Sequence, residues 1–220
     1  CNLPLGFAVS VVRFLRGMKS VRQLFWMTAL VAALCAWPSA VAAAKPQAKP
    51  VLTDVKGKQH APFKSDKTKA VVFVFMLRDC PVSNVYAPEL TRIHKEYSAK
   101  GVALYLVHPD RDTNAKSAIA HAKEYKLIAP VVLDHDHKLT RLAEAEVTPE
   151  AAVFDAKGRL VYRGRIDNLY AGFGKKRFKP TKRDLRDTLD AMLTGERLSK
   201  RTTEAVGCYI DFSNDKNKDK

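Results

Sequence analysis

Ala70-Val-Val-Phe-Val-Phe-Met-Leu-Arg-Asp-Cys80-Pro81 decides the reading of this chain. Eight apolar residues, Ala70 to Leu77, form an uninterrupted run, as expected for a strand covered on both faces of a sheet. Pro81 fits the first turn of a helix, where no backbone N–H is needed. Cys80 therefore stands after a buried strand and at the start of a helix, beyond the carboxyl end of a strand, where sites of α/β sheets lie. The partial positive charge of a helix N-terminus favours a thiolate there. Arg78 would help and Asp79 would oppose.

Outward from this point, strands are expected at Val71–Met76, Val102–Val107, Val131–Leu133, Ala151–Phe154 and Leu160–Tyr162. A helix from Pro81 to about Ala99 buries Tyr86, Leu90, Ile93 and Tyr97, and Pro88 kinks it. A second spans about Asn114 to Tyr125, with Ala118, Ile119, Ala122 and Tyr125 inward. A third covers about Lys138 to Glu144. The last starts at Thr181, with Asp184 as a weak capping partner, buries Leu185, Leu189, Met192 and Leu193, and ends at Gly195. Asp155-Ala-Lys-Gly158 joins two strands as a hairpin, and residues 51–63 add a small N-terminal hairpin around Lys56-Gly57. The order gives an α/β sheet, partly parallel and partly antiparallel.

The first residue is Cys1. Met18-Lys-Ser-Val-Arg22, the apolar stretch from Leu24 to Trp37 and the small residues up to Ala44 form the three regions of a secretory signal. Residues 1–44 are thus expected to be a leader that starts at Met18. An uncleaved membrane anchor facing the periplasm is the alternative, although the apolar stretch is short for a span of about twenty residues. Residues 45–50 read as a linker, 51–210 as one domain and 211–220 as a disordered polar tail. Loss of the leader removes Arg13, Arg16, Lys19 and Arg22 but no acid, so the net charge falls from +15 to about +11. The charges are dispersed and the chain is read as exported, which argues against a nucleic-acid partner. The same loss removes Cys1 and Cys35 and leaves Cys80 and Cys208, free to form one disulfide in an oxidising compartment.

Asp79-Cys80-Pro81, Val147-Thr-Pro149-Glu-Ala-Ala-Val-Phe-Asp155, Leu160-Val-Tyr-Arg-Gly-Arg-Ile-Asp167 and Ala205-Val-Gly-Cys208-Tyr-Ile210 carry a resemblance. Together they are similar to peroxiredoxin-like redoxins of the alkyl hydroperoxide reductase and thiol-specific antioxidant superfamily. The resemblance implies a thioredoxin-like mixed sheet flanked by helices. It also implies a thiol-based oxidoreductase that needs no cofactor. Its substrate would be a peroxide or a disulfide, and its electrons would come from a thiol reductant. Two positions depart from the pattern. Ser83 stands where thioredoxins have a second cysteine, and Leu77 where peroxiredoxins have a threonine or serine. The sequence leaves open whether Ser83 supplies the missing hydroxyl.

Cys80 is the expected nucleophile and Cys208 the expected resolving thiol, provided their α-carbons approach within about 7 Å. A structural disulfide is the competing reading of Cys208. Gly207 beside it permits close backbone approach. Thr148 and Pro149, with Pro149 in cis, would lie against Cys80 and pair with an incoming chain as a strand does. Arg163 and Arg165, on one face by alternation, are candidates to stabilise a thiolate or a peroxide oxygen. Asp134-His-Asp-His137 is metal-like in composition but fits capping of the following helix, and no metal ligand is assigned. His108 follows a strand and is expected to border the site. Protein thiol–disulfide exchange and a non-catalytic copper-binding module, using soft Cys80 with a histidine, are the alternative functions.

Overall fold

The computed structural model describes residues 49–199 and 201–213. The expected leader falls at residues 1–44 and lies outside the described residues, as do 214–220 of the expected tail.

Five strands form the central sheet, in the order β5 (Val131–Leu133), β4 (Val102–His108), β3 (Ala70–Phe75), β7 (Glu150–Asp155), β8 (Leu160–Gly164). β3 pairs in parallel with β4 and β4 in parallel with β5, while β7 is antiparallel to both β3 and β8. This is the mixed sheet expected. All six residues of β3 are buried. Val72 and Val74 face a cluster that includes Leu90, Ile93, Tyr97, Leu185 and Leu189. Val71, Phe73 and Phe75 face the opposite cluster, with Phe63, Leu139 and Phe154. Alternating side chains thus feed two cores, and this is why the strand reads as apolar throughout rather than as every second residue.

The helix after Cys80 is interrupted rather than kinked. α1 (Pro81–Val85) stops at Tyr86 and α2 (Ala87–Ser98) restarts there. Pro88 has no N–H to give the Asn84 carbonyl, so the ladder breaks and the proline takes its favoured place in a first turn. The expected stripe of Tyr86, Leu90, Ile93 and Tyr97 is buried.

α3 (Ala115–Glu124) is capped by Asn114, whose side chain accepts from the Ser117 N–H while the Ser117 hydroxyl accepts from the Asn114 N–H. Its inward face differs from expectation. Ile119 is 41 % exposed and His121 is buried. The His121 ring packs against His108 and Tyr125, centroids 5.5 and 4.9 Å away, and this fixes the helix rotation. α4 (Lys138–Leu142) lies on the opposite core. α5 (Asp184–Thr194) begins three residues later than expected, because the Thr181 N–H and hydroxyl are both engaged by the Asn168 side chain. Gly195 ends it at φ +78°.

A short antiparallel pair, β1 (Leu52–Thr53) and β2 (Gln59–His60), supplies the N-terminal hairpin. The remaining strands are β6 (Val147–Thr148), β9 (Tyr170–Gly172), β10 (Lys175–Lys176) and β11 (Cys208–Tyr209). No described helix is long and apolar enough to cross a membrane.

The last described residues form a strap. The Arg163 N–H donates to the Arg201 carbonyl and the Thr203 N–H to the Arg163 carbonyl, which lays this segment along β8. The Tyr162 hydroxyl and Thr203 Oγ1 are 2.7 Å apart. Gly164 is required at this crossing, since a Cβ there would stand 2.2 Å from the Thr203 carbonyl oxygen. The chain then crosses to β6, where β11 pairs antiparallel with Cys208 opposite Thr148 and Tyr209 opposite Val147. Ile210 is buried, and Phe212 packs on the His137 ring, centroids 4.9 Å apart.

Candidate redox site

Cys80 is the N-cap of α1 and is 1 % exposed. Its thiol lies 3.3 Å from the Thr148 carbonyl oxygen. The Thr148–Pro149 bond is cis. Cys208, half-buried, is the strap residue opposite Thr148, and the Thr148 hydroxyl donates back to the Cys208 carbonyl over 3.3 Å. Both cysteines are free thiols. Cys80, Thr148, Pro149 and Cys208, distant in the sequence, meet at one point.

Burial pushes the Cys80 thiol up, but hydrogen bonds outweigh it, and its pKa lies below the ordinary thiol value. The favourable contacts come from the Cys208 side chain, the Ser83 N–H and hydroxyl, and the Cys208 backbone. Among the described residues, the buried Ser83 hydroxyl has no partner while Cys80 is a thiol. Ionisation of Cys80 gives that hydroxyl its acceptor. Cys208 moves the other way. Burial, its role as donor to Cys80 and the repulsion of a second anion raise it to about 11.

This differs in cause from the account by helix dipole and Arg78. α1 has five residues, and Arg78 forks onto Asp79, with Nη2 and Oδ2 3.1 Å apart. The guanidinium is thereby compensated by Asp79 instead of serving the sulfur.

Arg163 and Arg165 do not act as one face. β8 ends at Gly164, so strand alternation does not carry through to Arg165. Arg165 pairs with Asp184, Nε to Oδ2 2.8 Å. Arg163 reaches the loop that carries Thr148: Nε lies 3.6 Å from Glu150 Oε1, and Nη1 donates to the Glu144 carbonyl. Neither arginine hydrogen-bonds Cys80.

Glu150 escaped the sequence reading. It is buried, and Oε2 accepts the Glu146 N–H at 2.9 Å and the Val147 N–H at 3.4 Å, which pins the start of β6. Burial raises its pKa against these hydrogen bonds and the Arg163 charge. A glutamate straight after a cis-proline gives no sequence signal for this role, because the N–H groups it binds precede it. Asp167 also went unremarked as a partner of Tyr86, whose hydroxyl donates to it over 2.7 Å and ties the α1–α2 junction to the loop after β8.

His121, His135 and His137 have structural partners, whereas neither ring nitrogen of buried His108 is hydrogen-bonded among the described residues. His121 Nε2 lies 2.8 Å from Asn84 Oδ1, and the Asn84 amide N–H donates to the Arg78 carbonyl. That amide orientation places the proton on His121 Nε2. His135 Nε2 donates to the Thr113 carbonyl and His137 Nε2 to the Pro109 carbonyl. Asp134 accepts the Leu139 and Thr140 N–H groups and so caps α4. Among the described residues, no three His, Cys, Asp or Glu side chains form a group able to hold a metal ion.

Comparison with known proteins identifies the family and the fold. The redoxin family model matches residues 40–170, more than half of the chain. No curated protein matches it. Among solved structures, a hypothetical protein of Sinorhizobium meliloti is 26 % identical, with TM-score 0.64, over 74 % of this chain and 90 % of that one. An uncharacterized conserved protein of Geobacillus kaustophilus is 24 % identical, with TM-score 0.65, over 76 % of this chain and 92 % of that one. A thioredoxin candidate from Neisseria meningitidis, 20 % identical, covers 69 % of this chain and 92 % of its own length at TM-score 0.53. The last two likenesses show the fold alone. With its thioredoxin-like fold and thiol-based redox function, the chain belongs to the redoxin family.

Proposed function

We propose that this redoxin is an exported thiol oxidoreductase that reduces peroxides through Cys80 and resolves the product with Cys208. The observation that carries the reading is the pairing of Cys208 with Thr148, directly at the Cys80 sulfur, with both thiols reduced. The Cys80 thiolate attacks one peroxide oxygen and the O–O bond breaks. The alcohol or water leaves with a proton, and Cys80 becomes a sulfenic acid. The Cys208 sulfur then attacks the Cys80 sulfur, water departs, and a disulfide remains. Two electrons from an external dithiol restore both thiols, and the dithiol becomes its own disulfide. Ser83, orphaned against the thiol, supplies the hydroxyl that Leu77 lacks.

No cofactor takes part in this scheme. The leader at residues 1–44 would deliver the domain to the periplasm. Disulfide exchange is the second reading and uses the same two sulfurs. Stopped-flow mixing of the reduced protein with hydrogen peroxide, and separately with a small aryl disulfide, distinguishes the two. Peroxide consumption lost in Cys80→Ser supports the first reading. Reaction with the disulfide alone replaces it with the second.

A further inference from the structure

An extended polypeptide can add itself to an exposed strand edge, and without a partner strand the backbone of Thr148 beside Cys80 would be such an edge. Here the edge is filled. The strap residues Cys208 and Tyr209 pair with Thr148 and Val147, and the Ile210 N–H donates to the Glu146 carbonyl at 2.9 Å. The Thr148 hydroxyl also binds the Cys208 carbonyl.

We infer that the strap is an internal occupant of the polypeptide-binding edge, and that it restricts Cys80 to small oxidants. The inference rests on the reading of Cys80 as attacking thiol and adds the substrate class. Three observations converge on it. Cys80 is 1 % exposed with the strap in place, so a bulky disulfide has no direct approach. The docking is backbone on backbone, so a foreign strand would have to displace the strap to pair with Thr148. Finally, Gly207 is fitted to this seat: a Cβ there would stand 1.8 Å from the Thr148 carbonyl oxygen and 2.6 Å from its carbon. That carbonyl oxygen also receives the Cys80 thiol, so neither side of the contact can give way cheaply. The strap's anchors beyond the site, at Arg163 and through buried Ile210, hold it closed without a disulfide. In the first step of disulfide exchange, the Cys80 thiolate attacks one sulfur of the substrate. A Cys80–substrate disulfide forms, and the other substrate sulfur leaves as a thiolate.

Gly207→Ala tests this because it disturbs the docking and leaves both thiols chemically intact. To isolate the first step, the substitution is made on Cys208→Ala and compared with Cys208→Ala alone. Formation of the Cys80 mixed disulfide is followed with Ellman's reagent as the small probe and with oxidised insulin as the polypeptide probe. The expected result is a rise of about tenfold or more in the insulin-to-Ellman's rate ratio when Gly207 is replaced. Truncation before Ala205 on the full chain, which removes the strap from the edge, should raise the ratio likewise and serves if the glycine variant folds poorly. An unchanged ratio in both, with normal reaction toward Ellman's reagent, overturns the inference and leaves the redox reading standing. Failure of Cys80 to react with Ellman's reagent in every variant, including those with the strap displaced, overturns this inference, and failure toward hydrogen peroxide as well overturns the redox reading with it.

Discussion

The sulfur of Cys80 stands 3.3 Å from the carbonyl oxygen of Thr148, a residue 68 positions further along the chain. The protonated thiol donates to that oxygen, and this contact is lost when Cys80 ionises. The thiolate is favoured only because other donors, from Ser83 and Cys208, are aimed at the same sulfur. The site is therefore a balance between one acceptor that holds the thiol and several donors that hold the anion.

Removal of a donor should tip that balance. Ser83→Ala and Cys208→Ala are each expected to raise the Cys80 pKa, since each removes a hydrogen-bond donor to the charged sulfur. Thiolate absorbance across a pH titration measures it. No shift in either variant would mean that the donors do not reach the sulfur.

The two thiols should titrate in order, Cys80 first. Cys208 is held near 11 by its burial and its anionic neighbour. In Cys80→Ala the donor role and the repulsion vanish and only burial remains, so Cys208 should fall toward the ordinary thiol value. Alkylation at stepped pH with mass mapping reads this directly.

His121 should make the fold acid-sensitive. Burial, with His108 and Arg78 nearby, lowers its pKa to about 4 from 6.5, against weaker opposition from Asp79 and Asp110. A histidine with a depressed folded value favours the fold fully above its unfolded pKa. That contribution is lost as pH falls from about 6.5 toward 4. The loss is up to about 3 kcal/mol. Urea unfolding near neutrality and near pH 4 should show a smaller difference in His121→Gln. His121 also reaches the loop before Cys80 through Asn84, so activity should decline over the same interval.

Arg163 is a positioning residue. It balances buried Glu150 and holds the Glu144 carbonyl at the start of the loop that carries Thr148. Arg163→Met should destabilise the fold by about 1–3 kcal/mol, the cost of leaving a buried acceptor without its partner. It should slow Cys80–Cys208 closure more than the first attack by Cys80. Separate rates for oxidation and closure, with rescue by Arg163→Lys, distinguish this from a general loss of stability.

Much of this was legible in the chain. β3 announced itself because both its faces are buried, so its residues are apolar without alternation. Cys80-Pro81 and Thr148-Pro149 were legible because proline restricts the backbone in a way any sequence displays. Gly207 showed that something passes close by, without naming Thr148 as the neighbour. What stayed hidden depends on contacts between distant segments. Ile119 and His121 both fit an inward helical position, and packing against His108 chose between them. Arg163 and Arg165 looked equivalent by spacing, until a strand end at Gly164 separated them. The strap occupies the edge where an incoming chain was expected, and no local pattern marks a two-residue strand.

The central claim is that Cys80 and Cys208 act as one redox pair. The most direct measurement is peptide mapping of the reduced protein after one equivalent of hydrogen peroxide. The account predicts a single intramolecular bond between Cys80 and Cys208, absent in Cys208→Ser, where Cys80 is found as a sulfenic or more oxidised acid. Recovery of both cysteines unoxidised, or of Cys80 over-oxidised while Cys208 remains a free thiol in the unaltered protein, would contradict it.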